Sequence, residues 1–121
     1  MTNKFTIFVM HSAHTDIGYT HPQEQIASMY LEHYDHVLEL CAKTANAPVE
    51  RRFKWTCETF WQVEQFLTHR PERLDDFLHY CRSGQIEISA SYLHFTDAIG
   101  PESYARSFDA AVAFCRRHNL P

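Results

Sequence analysis

His14 and Asp16 stand two residues apart in the run His11-Ser12-Ala13-His14-Thr15-Asp16-Ile17-Gly18-Tyr19. In extended backbone, residues two apart project to the same side. A neutral imidazole and a carboxylate placed together in this way suit a divalent metal such as Zn²⁺. The competing assignment is a loop in which Asp16 accepts backbone N–H bonds, and spacing alone leaves both open. Gly18 beside the pair lets the chain turn without steric cost. Two more acids fall at comparable points: Glu58 directly follows Phe53-Lys54-Trp55-Thr56-Cys57, and Asp97 follows the stretch Tyr92-Leu93-His94-Phe95-Thr96. Each could serve a site or simply sit in the first turn of a helix, where the dipole favours negative charge. Tyr19, Trp55, Trp61, Tyr92 and Phe95 could form stacking walls for a sugar ring. Trp55 and Trp61 lie in periodic apolar patterns typical of a core, whereas Tyr19, in the loop after the His/Asp pair, is the better placed for ligand contact. Of the nine histidines, His33 and His36 lie three apart on a helix and read as a solvated face or a metal clasp. His69, His79 and His118 read as surface helix residues, and His21 and His94 stay open in loops.

The elements that must position these groups alternate. Phe5 to Met10 is rich in β-branched and aromatic residues and apolar on both faces, which predicts a strand buried between helices. Pro22 opens a long helix with Glu24 in its first turn, and Ile26, Tyr30, Tyr34, Val37 and Cys41 recur on one face. Asn46 and Pro48 stop it. Arg52 to Cys57 predicts a second strand, and Thr59 starts a short helix through Phe60, Val63 and Leu67. Pro71 begins another helix with Leu74, Phe77, Leu78 and Cys81 on one face, closed by Gly84. Gln85 to Ala90 predicts a third strand. A last helix opens at Gly100-Pro101-Glu102, carries Tyr104, Phe108, Ala111, Val112 and Cys115, and ends at Asn119 to Pro121. The order β-α-β-α-α-β-α implies an α/β fold with three parallel strands joined by right-handed crossovers. Three such strands leave both sheet edges unpaired, so residues 1–121 read as the incomplete opening part of a larger α/β sheet or barrel.

Composition narrows the function classes. The chain has 121 residues, 45% hydrophobic and 21% charged, with a formal net charge of −4. That balance lacks the basic footprint of a nucleic-acid binder. No apolar run approaches the ~18–20 residues of a membrane span, and the N-terminus lacks a secretory signal pattern. The expectation is a cytoplasmic domain that binds neither nucleic acid nor membrane. Cysteines at 41, 57, 81 and 115 are separated by 16, 24 and 34 residues and form no C-x-x-C pair. They read as buried free thiols of a reducing compartment.

With these residues in place, the run from His11 to Pro22 resembles the N-terminal signature of glycoside hydrolase family 38, the α-mannosidases, whose members open with a strand ending in His-Ser-His-x-Asp-x-Gly-aromatic. Arg52-Phe53-Lys54-Trp55-Thr56-Cys57-Glu58 is similar to the family's second-strand segment ending in an acid. Gly84-Gln85-Ile86-Glu87-Ile88, with Asp97 ten residues after Glu87, is similar to its third. The resemblance spans nearly the whole chain but only the first part of the family's catalytic domain, a seven-stranded β/α barrel. It implies a partial (β/α)7 barrel in a zinc-dependent retaining glycosidase acting on terminal α-mannosyl linkages. By motif, His14 and Asp16 are implied zinc ligands, Tyr19 stacks on the bound sugar, and Glu58, Asp97 and Tyr92 belong to the substrate-binding side. Zinc would bind vicinal hydroxyls as Lewis acid and template.

Some positions depart from the pattern. Ala13 is an extra residue between Ser12 and His14, Tyr19 stands for the commoner Trp, and Ala90-Ser91 stands for a Gly-Gly pair. The resemblance places the nucleophilic Asp, itself a zinc ligand, on a strand beyond Pro121, with the acid/base and fourth ligand further on. The chain alone is therefore expected to be inactive, with carbohydrate as the substrate of the parent. Its partner would be the remainder of the barrel, or another copy through exposed strand edges. Two other readings compete: another metal-dependent hydrolase with an H-x-D pair, such as an amidohydrolase or sugar deacetylase, and a non-catalytic module acting through protein interaction.

Overall fold

The computed structural model describes residues 4–7, 9–96 and 98–121. Its longest element is α1, Gln23–Thr44, which buries Ile26, Tyr30, Tyr34, Val37, Leu38 and Cys41. This is the face expected from the three- and four-residue spacing of apolar side chains. Pro22 sits just outside as the N-cap residue, in extended conformation. A 3₁₀ turn, Val49–Arg51, leads to β1, Trp55–Cys57. Then come α2, Phe60–His69, a second 3₁₀ turn, Pro71–Arg73, and α3, Leu74–Arg82. Gly84, at a φ of +71°, makes the left-handed turn that ends α3. β2, Ile86–Ile88, follows and pairs in parallel with β1 in the register Trp55↔Ile86 to Cys57↔Ile88.

Among the described residues there are thus two parallel strands where three are expected. Residues 5–7, 9 and 10 of the predicted first strand are not in a strand; Phe8 lies outside the described residues. Among the described residues the segment pairs with the sheet only at His11, which forms a parallel bridge with Trp55. Its described apolar residues are open to solvent: Phe5 is 88% exposed and Ile7 85%. A strand is held by neighbours on its edges and faces, and here β1 reaches it only at its end. The single long helix predicted after Gly100 is two, α4, Pro101–Arg106, and α5, Asp109–Arg117. Between them the Ser107 carbonyl accepts from the Tyr92 N–H at 3.1 Å, which takes it out of the helical ladder.

The core lies where α1, α2 and α3 meet the two strands. Tyr34 stacks on Phe66 at 5.2 Å between ring centroids and packs beside Phe77 at 6.2 Å. All three rings are fully buried. A buried amide ties the helices to the sheet: Gln85 Nε2 donates to the Cys41 carbonyl at 3.1 Å and the Phe53 carbonyl at 3.2 Å. Thr44 Oγ1 meanwhile accepts from the Phe53 N–H at 2.9 Å. Unmade, such a buried donor or acceptor costs about 1–3 kcal/mol, so these bonds fix how α1 ends against β1. Cys41, Cys57 and Cys81 are buried free thiols, as expected, and Cys115 is half-buried. No helix among the described residues is long and apolar enough to cross a membrane.

Candidate metal centre

His14 and Glu58 meet because of register. His11 pairs with Trp55, and each of the two side chains lies three residues further along its own segment. Both therefore emerge at the carboxyl ends of the parallel segments, where α/β folds place their ligands. Three backbone joins position the first segment and the loop behind it. The Thr56 N–H donates to the His11 carbonyl at 2.8 Å. The buried Tyr30 hydroxyl reaches the Ala13 carbonyl at 3.3 Å, holding the loop on α1. A turn then follows, with Gly18 at a φ of +83° and the Thr20 N–H on the Asp16 carbonyl at 3.3 Å. The positive φ is the conformation for which glycine was anticipated.

The His14 Nδ1 lies 2.7 Å from Glu58 Oε1, and its Nε2 lies 3.3 Å from Asp16 Oδ1. His94 Nε2 lies 3.2 Å from the same Glu58 oxygen. The other Glu58 oxygen accepts from Gln62 Nε2 at 3.4 Å, and the buried Gln62 also accepts from the Tyr34 hydroxyl. Glu58 is thus the acceptor hub, about four-fifths buried, while the side chains of His14, Asp16 and His94 are each more than half exposed. The Glu58 hydrogen bond and charge, with a smaller contribution from Asp16, raise the His14 pKa above the usual imidazole value against slight desolvation. One donor atom each from His14, Glu58 and His94 falls within 4.8 Å of the others, a group that could hold a metal ion. A cleft of about 290 Å³ opens over them, walled by Tyr30, Trp61, Gln62 and Leu93.

His94 was left open by the sequence, and the backbone explains its arrival. The first N–H groups of α2 need acceptors. Those of Phe60 and Trp61 find them in the Ser91 and Tyr92 carbonyls, at 2.9 and 3.1 Å. This stitches the loop after β2 onto the start of α2 and brings His94 beside Glu58. A histidine a few residues past a strand end was the available signal, but nothing local named its partner.

The other expected site residues are distributed differently. Asp16 and Glu58 line the cleft with His14. Tyr19, 90% exposed, projects into solvent beyond the turn. The Tyr92 hydroxyl donates to Glu64 Oε2 at 2.6 Å, and Glu64 lines a separate cleft of about 420 Å³ between α2, α3 and α5. Burial first, then this bond, pushes the Tyr92 pKa up to about 12. Asp97 lies outside the described residues. Trp61 is buried and Trp55 half-buried, both in or against the core. His33 packs edge-on to Tyr30, and neither it nor His36 joins a metal-holding group among the described residues.

The fold agrees with what the chain is similar to. The family model described as "Glycosyl hydrolases family 38 N-terminal domain" matches residues 4–114, and the chain belongs to that family. Among solved structures, a protein in glycosyl hydrolase family 38 from Enterococcus faecalis superposes with a TM-score of 0.71 at 21% identity, covering 93% of this chain and 13% of that one. An alpha-mannosidase from Enterococcus faecalis V583 gives a TM-score of 0.68 at 22% identity, covering 83% of this chain and 11% of that one. The chain therefore spans about one eighth of the length of these relatives. None of the curated proteins matches it.

Proposed function

We propose that this chain is the opening part of the catalytic domain of a zinc-dependent retaining glycoside hydrolase that removes terminal α-mannosyl residues. In this reading the parent domain is a seven-stranded β/α barrel, and the chain supplies its first segments and half of its zinc site. The observation that carries the proposal is the 3.3 Å separation of His14 Nε2 and Asp16 Oδ1. Two ligands at ~2.0–2.1 Å from a tetrahedral zinc lie about 3.3 Å apart. With Nδ1 directed at Glu58, His14 presents its Nε2 lone pair to a carboxylate oxygen. Two acceptors facing each other call for a cation or a proton between them. The donor set, one imidazole nitrogen and one carboxylate oxygen, is a borderline set that suits zinc.

Bound there, zinc would supply a Lewis acid and a template for vicinal sugar hydroxyls. The chain's own residues would do the rest of its share. His14 and Asp16 hold the ion, and the exposed Tyr19 ring offers an apolar face to the C–H face of a sugar. Asp97 keeps its place on the substrate side by its motif. The two carboxyls of a retaining mechanism, ~5–5.5 Å apart across the scissile bond, belong to the part of the parent that this chain does not match. The buried reduced thiols fit a cytoplasmic parent.

The test is metal content and turnover of the parent enzyme. One Zn²⁺ per polypeptide is expected, with His14→Ala and Asp16→Ala each losing more α-mannoside hydrolysis than the ~10–100-fold that loss of an outer-shell partner costs. Wild-type zinc content and activity in both variants would sink the proposal. The exposed row of Phe5, Ile7, Val9 and Met10 favours a second reading, in which the chain associates with the rest of a barrel or with its own copies and performs no chemistry. A defined oligomer by light scattering, free of zinc by elemental analysis, would favour that reading instead.

A further inference from the structure

We infer that Glu58 and His94 act as a pair of positioning residues that choose which nitrogen of His14 is free to bind metal. The inference rests on the zinc reading above. Glu58 Oε1 receives both His14 Nδ1, at 2.7 Å, and His94 Nε2, at 3.2 Å, while Gln62 occupies Oε2. A carboxylate accepts and does not donate, so the His14 ring must turn an N–H toward it. A neutral imidazole carries one N–H. With that proton on Nδ1, the lone pair of His14 lies on Nε2, the nitrogen that faces Asp16. A partner on the far nitrogen fixes the tautomer and ring orientation of a metal-binding histidine and raises its basicity.

His94 adds the second half of the device. Glu58 could swing its carboxylate away from an exposed imidazole, but the His14 ring on Oε1, the His94 ring 3.2 Å from the same oxygen and an amide on Oε2 hold it in one orientation. Two of those groups come from elements tied elsewhere: Gln62 is buried in α2 beneath Tyr34, and the His94 loop is stitched to α2 through Ser91 and Tyr92. The orientation of His14 is therefore set from the core outward, through Tyr34, Gln62 and Glu58.

The experiment is NMR on the uniformly ¹⁵N-labelled chain at pH 8.5. Long-range ¹H–¹⁵N spectra of the metal-free chain should show His14 protonated on Nδ1. Glu58→Met should shift it toward the Nε2–H form and weaken Zn²⁺ or Cd²⁺ binding by about 10-fold. His94→Leu should weaken binding by about threefold, and His94→Gln, which keeps an N–H donor, should restore most of the loss. With ¹¹³Cd²⁺ bound, coupling should appear at His14 Nε2. A wild-type His14 protonated on Nε2, or cadmium on Nδ1 with Glu58 as a direct ligand, would overturn the positioning role. A parent enzyme that takes up no zinc or cadmium, with the Nδ1–H form of His14 intact in the chain, would instead count against the zinc reading alone.

Discussion

The helical wedge and the strip leading to the site are built on different principles. In the wedge, α1, α2 and α3 close over β1 and β2 with fully buried aromatic rings and a buried glutamine amide. The described residues of the strip from Phe5 to Tyr19 bury almost nothing. It is held by the Thr56 N–H on the His11 carbonyl, the Tyr30 hydroxyl on the Ala13 carbonyl and the contact of His14 with Glu58. Hydrophobic burial is non-directional and scales with area, whereas a handful of hydrogen bonds gives direction and little stability. The difference teaches that most of the stability resides in the wedge while the ligand-bearing side chains lie outside it, with Tyr30 and Tyr34 as the buried residues that serve both. A site-bearing side chain can change without unfolding the wedge.

The sharpest way to break that contrast is to cut each side. Phe77→Ala should cost about 3–5 kcal/mol of unfolding free energy, while His14→Ala should stay within about 0.5 kcal/mol. Urea denaturation followed by circular dichroism measures both, and similar losses would erase the distinction. Next in size, Tyr30→Phe keeps the buried ring but removes its bond to Ala13. It should lower stability by about 1 kcal/mol and speed amide exchange in residues 12–16 more than in α1. Equal acceleration in both would mean that the strip and the wedge open together.

A further effect concerns reactivity. Burial pushes the Cys57 thiol up to about 12 and the Cys41 thiol to about 11. A raised pKa keeps the thiol protonated through pH 8, where a group at pKa 12 is thiolate to roughly 1 part in 10⁴ and a free cysteine to roughly a quarter. Iodoacetamide at pH 8 should therefore leave both intact in the folded chain and modify all four cysteines once urea unfolds it. Rapid modification of Cys57 in the native chain would show that the wedge is far looser than its packing.

How much of this was legible in the sequence follows the same division. The buried face of α1 was readable from spacing alone, because one helix face repeats with the apolar residues themselves. The acid after β1 and the His14/Asp16 pair were readable because they follow apolar runs that end abruptly. The first strand is not seen among the described residues, for a physical reason: its composition is that of a buried strand, but burial depends on neighbours, and among the described residues the segment meets β1 at His11 alone. The break between α4 and α5 was invisible because the group that diverts the Ser107 carbonyl, the Tyr92 N–H, lies in a different element. Glu58 was read as a substrate-side acid, and its place between two imidazoles appeared only when the loop after β2 met α2.

That meeting rests on main-chain bonds, N–H of Phe60 and Trp61 with carbonyls of Ser91 and Tyr92, with the Tyr92 hydroxyl on Glu64 as a side-chain tie beside them. Its main-chain seam is indifferent to which side chains hang from Ala90 and Ser91. Ala90 is exposed and Ser91 half-buried, so a lineage could exchange these residues, and reshape the ground beside the cleft, while His94 stays where it is. The seam lets this corner of the molecule vary in sequence without moving the histidine beside Glu58.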